Sequence, residues 1–229
     1  MKILNKSVSE RFESFYKDIA ARIGAHKFCP NPPGGILGDC HLEDGVIVVR
    51  LRTDVNKSRF EQNVAHELLH ALQIVEGWPT IKSRLPDNSA VAQLGATLAS
   101  LVLDLNVEDR LKQLPFDSKP VIGDQYRNLT KAILGEIPSS GSYQWRRAVM
   151  MYIYASLIQP PRKWKKLGEL FLERAPHIAR KGEELALLVK RHSWNTPDQA
   201  LASMIAIREN IGLPSDQLSI VDRRTEQRF

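Results

Sequence analysis

The stretch Gln62–Gln73, "QNVAHELLHALQ", places two histidines and a glutamate in an otherwise mostly apolar run. From Phe60 to Val75 the periodicity is helical, with Phe60, Val64, Leu68, Ala71, Leu72 and Val75 on one face. His66 and His70 fall on nearly the opposite side. Residues four apart on a helix stand one turn, about 6 Å, from each other on a shared face. Two imidazoles leaning from there can meet on one small cation at about 2.0–2.1 Å each. Glu67 projects about 100° around the helix from His66. That is too far round for the natural third ligand, and well placed to take a proton from water. Surface histidines, or histidines hydrogen-bonded in a core, are the competing reading. The preceding strand, the caps at both ends and the uncharged neighbours Asn63, Val64, Ala65, Leu68 and Leu69 favour a metal.

Around this helix the punctuation is clear. Ser58 and Glu61 form a capping box and Gly77 supplies a stop. Upstream, "HLEDGVIVVRLR" reads as a hairpin turning at Asp44-Gly45 into the β-branched run Val46–Leu51, which suits a buried strand. Before it, "CPNPPGGILGDC" reads as a loop. "SVSERFESFYKDIAARIGAH" reads as an amphipathic helix capped by Ser7 with Glu10 three residues on, ending at Gly24. Downstream of the connector "WPTIKSRLPD", a helix starts at Asp87 or Ser89 and carries Val91, Leu94, Leu98, Leu101, Val102 and Leu105 on one face. The second half is helical throughout, in "QWRRAVMMYIYASLI", "KWKKLGELFLERA", "HIARKGEELALLVKRH" and "PDQALASMIAIREN", and the polar tail "VDRRTEQRF" is expected to fray. The expected architecture is α+β, mainly helical. A small sheet packs on the HExxH helix, in a metal-binding core over residues 1–115 with a helical region over 116–229, as two domains or as parts of a single one.

With 229 residues, 43% hydrophobic and 25% charged, the composition is that of a globular domain with a sizeable core. No apolar run approaches the roughly 20 residues of a membrane span, and "MKILNKSVSERF" lacks the apolar segment of a secretory signal. A cytoplasmic location without membrane association is therefore expected. Two cysteines are too few for a disulfide framework. The net charge of +6 is spread along the chain. Basic patches such as "PPRKWKKLGE" and "DRRTEQRF" read as solvated faces, so a nucleic-acid partner rests on charge alone.

At "VAHELLHAL" the chain resembles the zincin metallopeptidases. The resemblance covers the hairpin, the HExxH helix and the helix after it, about 75 residues, and is specific at the motif. More loosely, "HELLHALQIVEGWP" followed by "LASLVLDLNVEDRL" is similar to uncharacterised predicted metallopeptidases of bacterial and phage type. The resemblance implies Zn²⁺ held by His66 and His70, with Glu67 as general base. A catalytic zinc keeps three protein ligands. The extended metzincin pattern is absent, because Gln73-Ile74-Val75-Glu76-Gly77 follows His70. A gluzincin-like arrangement takes a carboxylate from the next helix, where "LVLDLNVEDRL" offers Asp104, Glu108 and Asp109, although the usual ExxxD is missing. Asp104 is favoured, since it interrupts the apolar run "ATLASLVLDL". Glu108 follows, as the ligand itself or as an acceptor for a histidine N–H. Asp109 falls nearer the centre of the apolar stripe.

His26, Cys29, Cys40 and His41 have poor spacing for a second zinc site and read as free thiols and loop histidines. Tyr126, Tyr143, Tyr152, His177 and His192 are all available to steady an oxyanion, and nothing in the sequence selects one. The expected function is zinc-dependent hydrolysis of peptide bonds in a peptide or protein substrate. The alternative is a regulatory protein on a zincin scaffold, its metal site structural or silent, meeting a protein or nucleic acid. A third is a metal-free helical interaction protein. The oligomeric state stays open.

Overall fold

The computed structural model describes residues 1–32, 36–114 and 119–229. The order of elements is β1 Lys2–Ile3, β2 Lys6–Ser7, α1 Glu10–Ile23, β3 His26–Pro30, β4 Gly38–Glu43, β5 Val46–Leu51, α2 Lys57–Val75, β6 Thr80–Ser83, α3 Ala90–Lys112, α4 Lys119–Leu134, α5 Tyr143–Ile158, α6 Pro161–Arg174, α7 Pro176–His192, α8 Pro197–Asn210 and β7 Leu218–Val221. The fold is α+β, mainly helical with small sheets. It divides into two compact units, residues 1–77 with 107–120 and residues 78–106 with 121–229. The single helix α3 contributes to both.

In the first unit, β5 is the middle of a three-stranded sheet, parallel to β3 and antiparallel to β4. A middle strand is hydrogen-bonded along both edges, and in β5 Ile47, Val48, Val49 and Leu51 form a nearly continuous apolar run with at most 2% exposure. The hairpin turns where expected. Asp44 (φ 48°) and Gly45 (φ 77°) both take left-handed backbone, as a two-residue turn between twisted strands requires. α2 lays Phe60, Val64, Leu68, Ala71 and Leu72 into a core shared with Phe12, Ile19 and Ile23 of α1 and with Val107 and Leu111 of α3. Each large side chain buried this way contributes about 1.5–3 kcal/mol. Val75 departs from the expected face and is exposed.

The caps differ from the sequence expectation in position. α1 is capped by Ser9, whose hydroxyl accepts from the Phe12 N–H, while Ser7 belongs to β2. Asn56 caps α2, accepting from the Arg59 N–H, so Ser58 lies within the first turn. Glu61 closes no box on its own helix. Its carboxylate accepts from the backbone N–H (2.6 Å) and hydroxyl (3.0 Å) of Ser9, tying the start of α1 to α2. A residue that satisfies a neighbouring helix's free donors outcompetes the local box.

His26 and His41 lie in β3 and β4 rather than in loops. His26 Nδ1 donates to the Gly24 carbonyl at 2.7 Å and its Nε2 accepts from the Tyr16 hydroxyl at 2.9 Å, so both ring nitrogens are used. Burial raises the Tyr16 pKa, which keeps that hydroxyl a donor. Cys29 and Cys40 are in no disulfide and lie on strands that flank β5 from opposite sides.

The second unit is mostly helical. α5, α6, α7 and α8 form where the apolar spacing predicts them, each started by proline or serine punctuation. Three features were not anticipated. α4 is a further helix, and the connector after α2 contains β6, which pairs antiparallel with β7. The tail does not fray. Phe229 exchanges two backbone hydrogen bonds with Ile220, and its carbonyl accepts from Arg208 at 2.6 Å. Asp222 accepts from the Arg224 N–H and guanidinium across the turn between them. Polar residues read as a frayed end here pair with each other, a contact no periodicity announces.

α3 also departs from expectation. By length and composition it is the one helix among the described residues apolar enough to cross a membrane, with mean hydropathy 1.5 over 18 residues. Its Leu94, Leu98, Leu101, Val102 and Leu105 are nevertheless buried in the core of the second unit, which accounts for that apolarity.

Candidate metal centre

α2 is apolar toward its core and polar on the remaining arc, where His66 and His70 are half-buried and Glu67 and Gln73 are buried. The two Nε2 atoms approach to 3.1 Å. Two nitrogens each about 2.05 Å from one tetrahedral ion would stand about 3.3 Å apart. The observed spacing suits a pair of ligands on one ion, and it is also that of a hydrogen bond between the two rings.

The other side of each ring supports this. His70 Nδ1 donates to Gln73 Oε1 at 2.9 Å. The Nε2 of neutral His70 then carries a lone pair, the form a metal takes. His66 Nδ1 faces Glu108 Oε1 at 3.9 Å, beyond hydrogen-bond length but on the same side of the ring. Both imidazoles thus turn Nδ1 toward an oxygen and Nε2 toward each other, the arrangement in which outer groups orient metal-binding histidines.

Asp104 and Glu108 stand one turn apart on α3. One nitrogen from each histidine and one carboxylate oxygen of Asp104 lie within 4.8 Å of one another. Asp104 is half-buried, whereas the Glu108 side chain is only 4% exposed. The donor set, two imidazoles and a carboxylate, fits Zn²⁺. Asp109 pairs with Lys112 at 2.7 Å on a partly open surface, not in the centre of an apolar stripe. Arg110 is engaged with Glu76 at 2.8 Å.

Glu67 sits beside the histidines against Gly38, the first residue of the outer strand β4. A β-carbon on Gly38 would come within 2.5 Å of Glu67 Oε1 and 2.6 Å of its Cγ. The absence of a side chain at Gly38 is what lets the carboxylate lie there. Gly38→Ala is expected to keep the fold and the His66–His70 pair while displacing Glu67. If Glu67 moves a proton in a reaction at this site, turnover should fall by about tenfold or more at unchanged metal content, because a displacement of about 1 Å in a reacting group is costly. Wild-type turnover in that variant would show that Glu67 needs no such room.

Sequence reasoning overlooked Gln73 and Gly38. Gln73 was legible in principle, as an amide one turn beyond His70. Gly38 was not, since its role depends on how β4 approaches α2. Among the oxyanion candidates, three are occupied within the second unit. Tyr143 donates to Gln93 at 2.9 Å, His177 Nε2 donates to the Pro138 carbonyl at 3.0 Å, and Tyr152 packs edge-on to Trp164 and Phe171.

No protein-family model, curated protein or solved structure matches the chain.

Proposed function

We propose that the chain is a zinc-dependent peptidase of zincin type, with His66, His70 and Asp104 holding the ion and Glu67 moving the proton. The reading is carried by the approach of the two Nε2 atoms to 3.1 Å with both Nδ1 atoms turned to oxygen partners. Glu108 is then an outer acceptor beside His66 rather than a ligand. The zincin-like packing, a small mixed sheet against an HExxH helix, belongs to the same proposal.

Bound zinc would polarise a carbonyl and acidify water at neutral pH. The residues of the chain do the rest. Glu67 accepts a proton from the water whose oxygen attacks the scissile carbon, then returns it to the amine nitrogen as the C–N bond breaks. An extended peptide pairing along β4 would pass Gly38 and so reach Glu67, which favours a peptide over a compact substrate.

The test is the full chain loaded with Zn²⁺ and assayed on a mixture of unfolded peptides by mass spectrometry. The expected result is about one zinc per chain, and cleavage that stops with a chelator and returns with Zn²⁺. A protein that takes up no zinc would end the proposal.

One observation favours the regulatory alternative. The second unit holds 19 Lys and Arg against 13 Asp and Glu, whereas the first holds 13 of each. The entire net charge of +6 thus lies outside the unit carrying the histidines, as a protein with an acidic or nucleic-acid partner would have it. Zinc binding without cleavage of any peptide would favour that alternative.

A further inference from the structure

We propose that Gln73 is the positioning residue for His70: its side-chain oxygen selects the tautomer that presents Nε2 to the metal, so that α2 alone preforms this half of the site. The inference rests on the metal-site reading above and adds to it a residue that belongs to neither the HExxH motif nor the carboxylate pair on α3.

Gln73 lies three residues after His70 on the same helix, on the same face, and is 2% exposed. Its Oε1 is 2.9 Å from His70 Nδ1. A carbonyl oxygen accepts and never donates, so the proton of a neutral imidazole must stand on Nδ1. The lone pair is then on Nε2, the atom 3.1 Å from its counterpart on His66. Left to water, an imidazole places its proton on either nitrogen and turns freely about χ2. A buried acceptor removes both freedoms before any ion arrives.

The two histidines are held differently. His66 Nδ1 looks toward a carboxylate on another helix at 3.9 Å, too long for a direct hydrogen bond. His70 is held by a direct hydrogen bond from within its own helix, and helical geometry makes that bond local and rigid. An amide also sets the tautomer without adding charge. The site therefore keeps one charged outer partner and one neutral one, which limits the charge buried around the ion.

Three forms of the full chain test this: wild type, Gln73→Met and Gln73→Glu. Methionine keeps the length and fills the space without an acceptor, and glutamate restores an acceptor. Zn²⁺ affinity is read by competition with a chromophoric chelator, and folding by thermal melting. Gln73→Met is expected to bind Zn²⁺ about 10–100-fold more weakly, the usual consequence of losing an outer hydrogen bond to a ligand. Gln73→Glu is expected to recover wild-type affinity or exceed it. A merely structural role would lower the melting temperature of both variants and show no such rescue. Nitrogen-detected NMR of the histidines in zinc-loaded wild type needs no variant at all, and should place the His70 proton on Nδ1. Wild-type affinity in a folded Gln73→Met protein, no rescue by glutamate, or a His70 proton on Nε2 would each overturn the inference. If wild type itself binds no zinc, the metal reading fails first, and that outcome is distinct from all three.

Discussion

Glu67→Gln is expected to reduce peptide hydrolysis by about 10²–10⁴-fold, the range a positioned general base supplies, while Zn²⁺ content stays at the wild-type value. The substitution keeps the shape of a side chain that lies buried against Gly38, so the helix and its neighbours have no reason to move. It removes the capacity to take a proton. Glu67 also stands outside the group of ligand atoms formed by His66, His70 and Asp104, so the ion loses nothing directly. Turnover per bound zinc, measured beside elemental content, separates the two effects. Hydrolysis at the wild-type rate by the glutamine variant would mean another group moves the proton.

Replacing either histidine should have the opposite signature, with metal lost first and activity lost as its consequence. Structural zinc sites bind with about 10–16 kcal/mol over four ligands, so one ligand corresponds to about 10²–10³-fold in affinity. His66→Ala and His70→Ala are each expected to weaken Zn²⁺ binding by about that factor. The two carboxylates on α3 should then divide. On the proposed reading Asp104→Asn removes a ligand and should approach the histidine variants. Glu108→Gln removes an outer partner of His66 and should cost only about 10–100-fold. Zinc competition titrations on the four proteins would show the order. A larger loss for Glu108→Gln than for Asp104→Asn would exchange the roles of the two acids.

Much of this was readable from local pattern. The Asp44-Gly45 hairpin, the buried run of β5, the histidine-bearing arc of α2 and the four helices α5 to α8 all follow from periodicity and turn chemistry, which act over a few residues. The misplaced features share a different cause. Ser58 and Glu61 have the spacing of a capping box, yet Asn56 caps α2 and Glu61 turns to Ser9 on another helix. The tail "VDRRTEQRF" has the polarity of a frayed end, yet Phe229 pairs with Ile220 and Arg208. β6 and β7 are more than a hundred residues apart in the chain, and neither is long enough to announce itself. In each case a specific hydrogen-bonding partner outweighed the signal of spacing or polarity.

For the site, the sequence by itself determined that His66, Glu67 and His70 project from one helix at the spacing a metal and a proton acceptor require, because a helical period depends only on neighbouring residues. Only the tertiary structure decided that the ring nitrogens facing each other are Nε2, that Glu108 stands beside the His66 ring, and that Gly38 leaves room for the Glu67 carboxylate. It also gave the two acids one turn apart on α3 different surroundings, Asp104 half-buried and Glu108 buried with an oxygen 3.9 Å from His66 Nδ1. Those outcomes depend on how backbone segments approach one another, and that is settled by packing and by the burial of polar groups that must find partners.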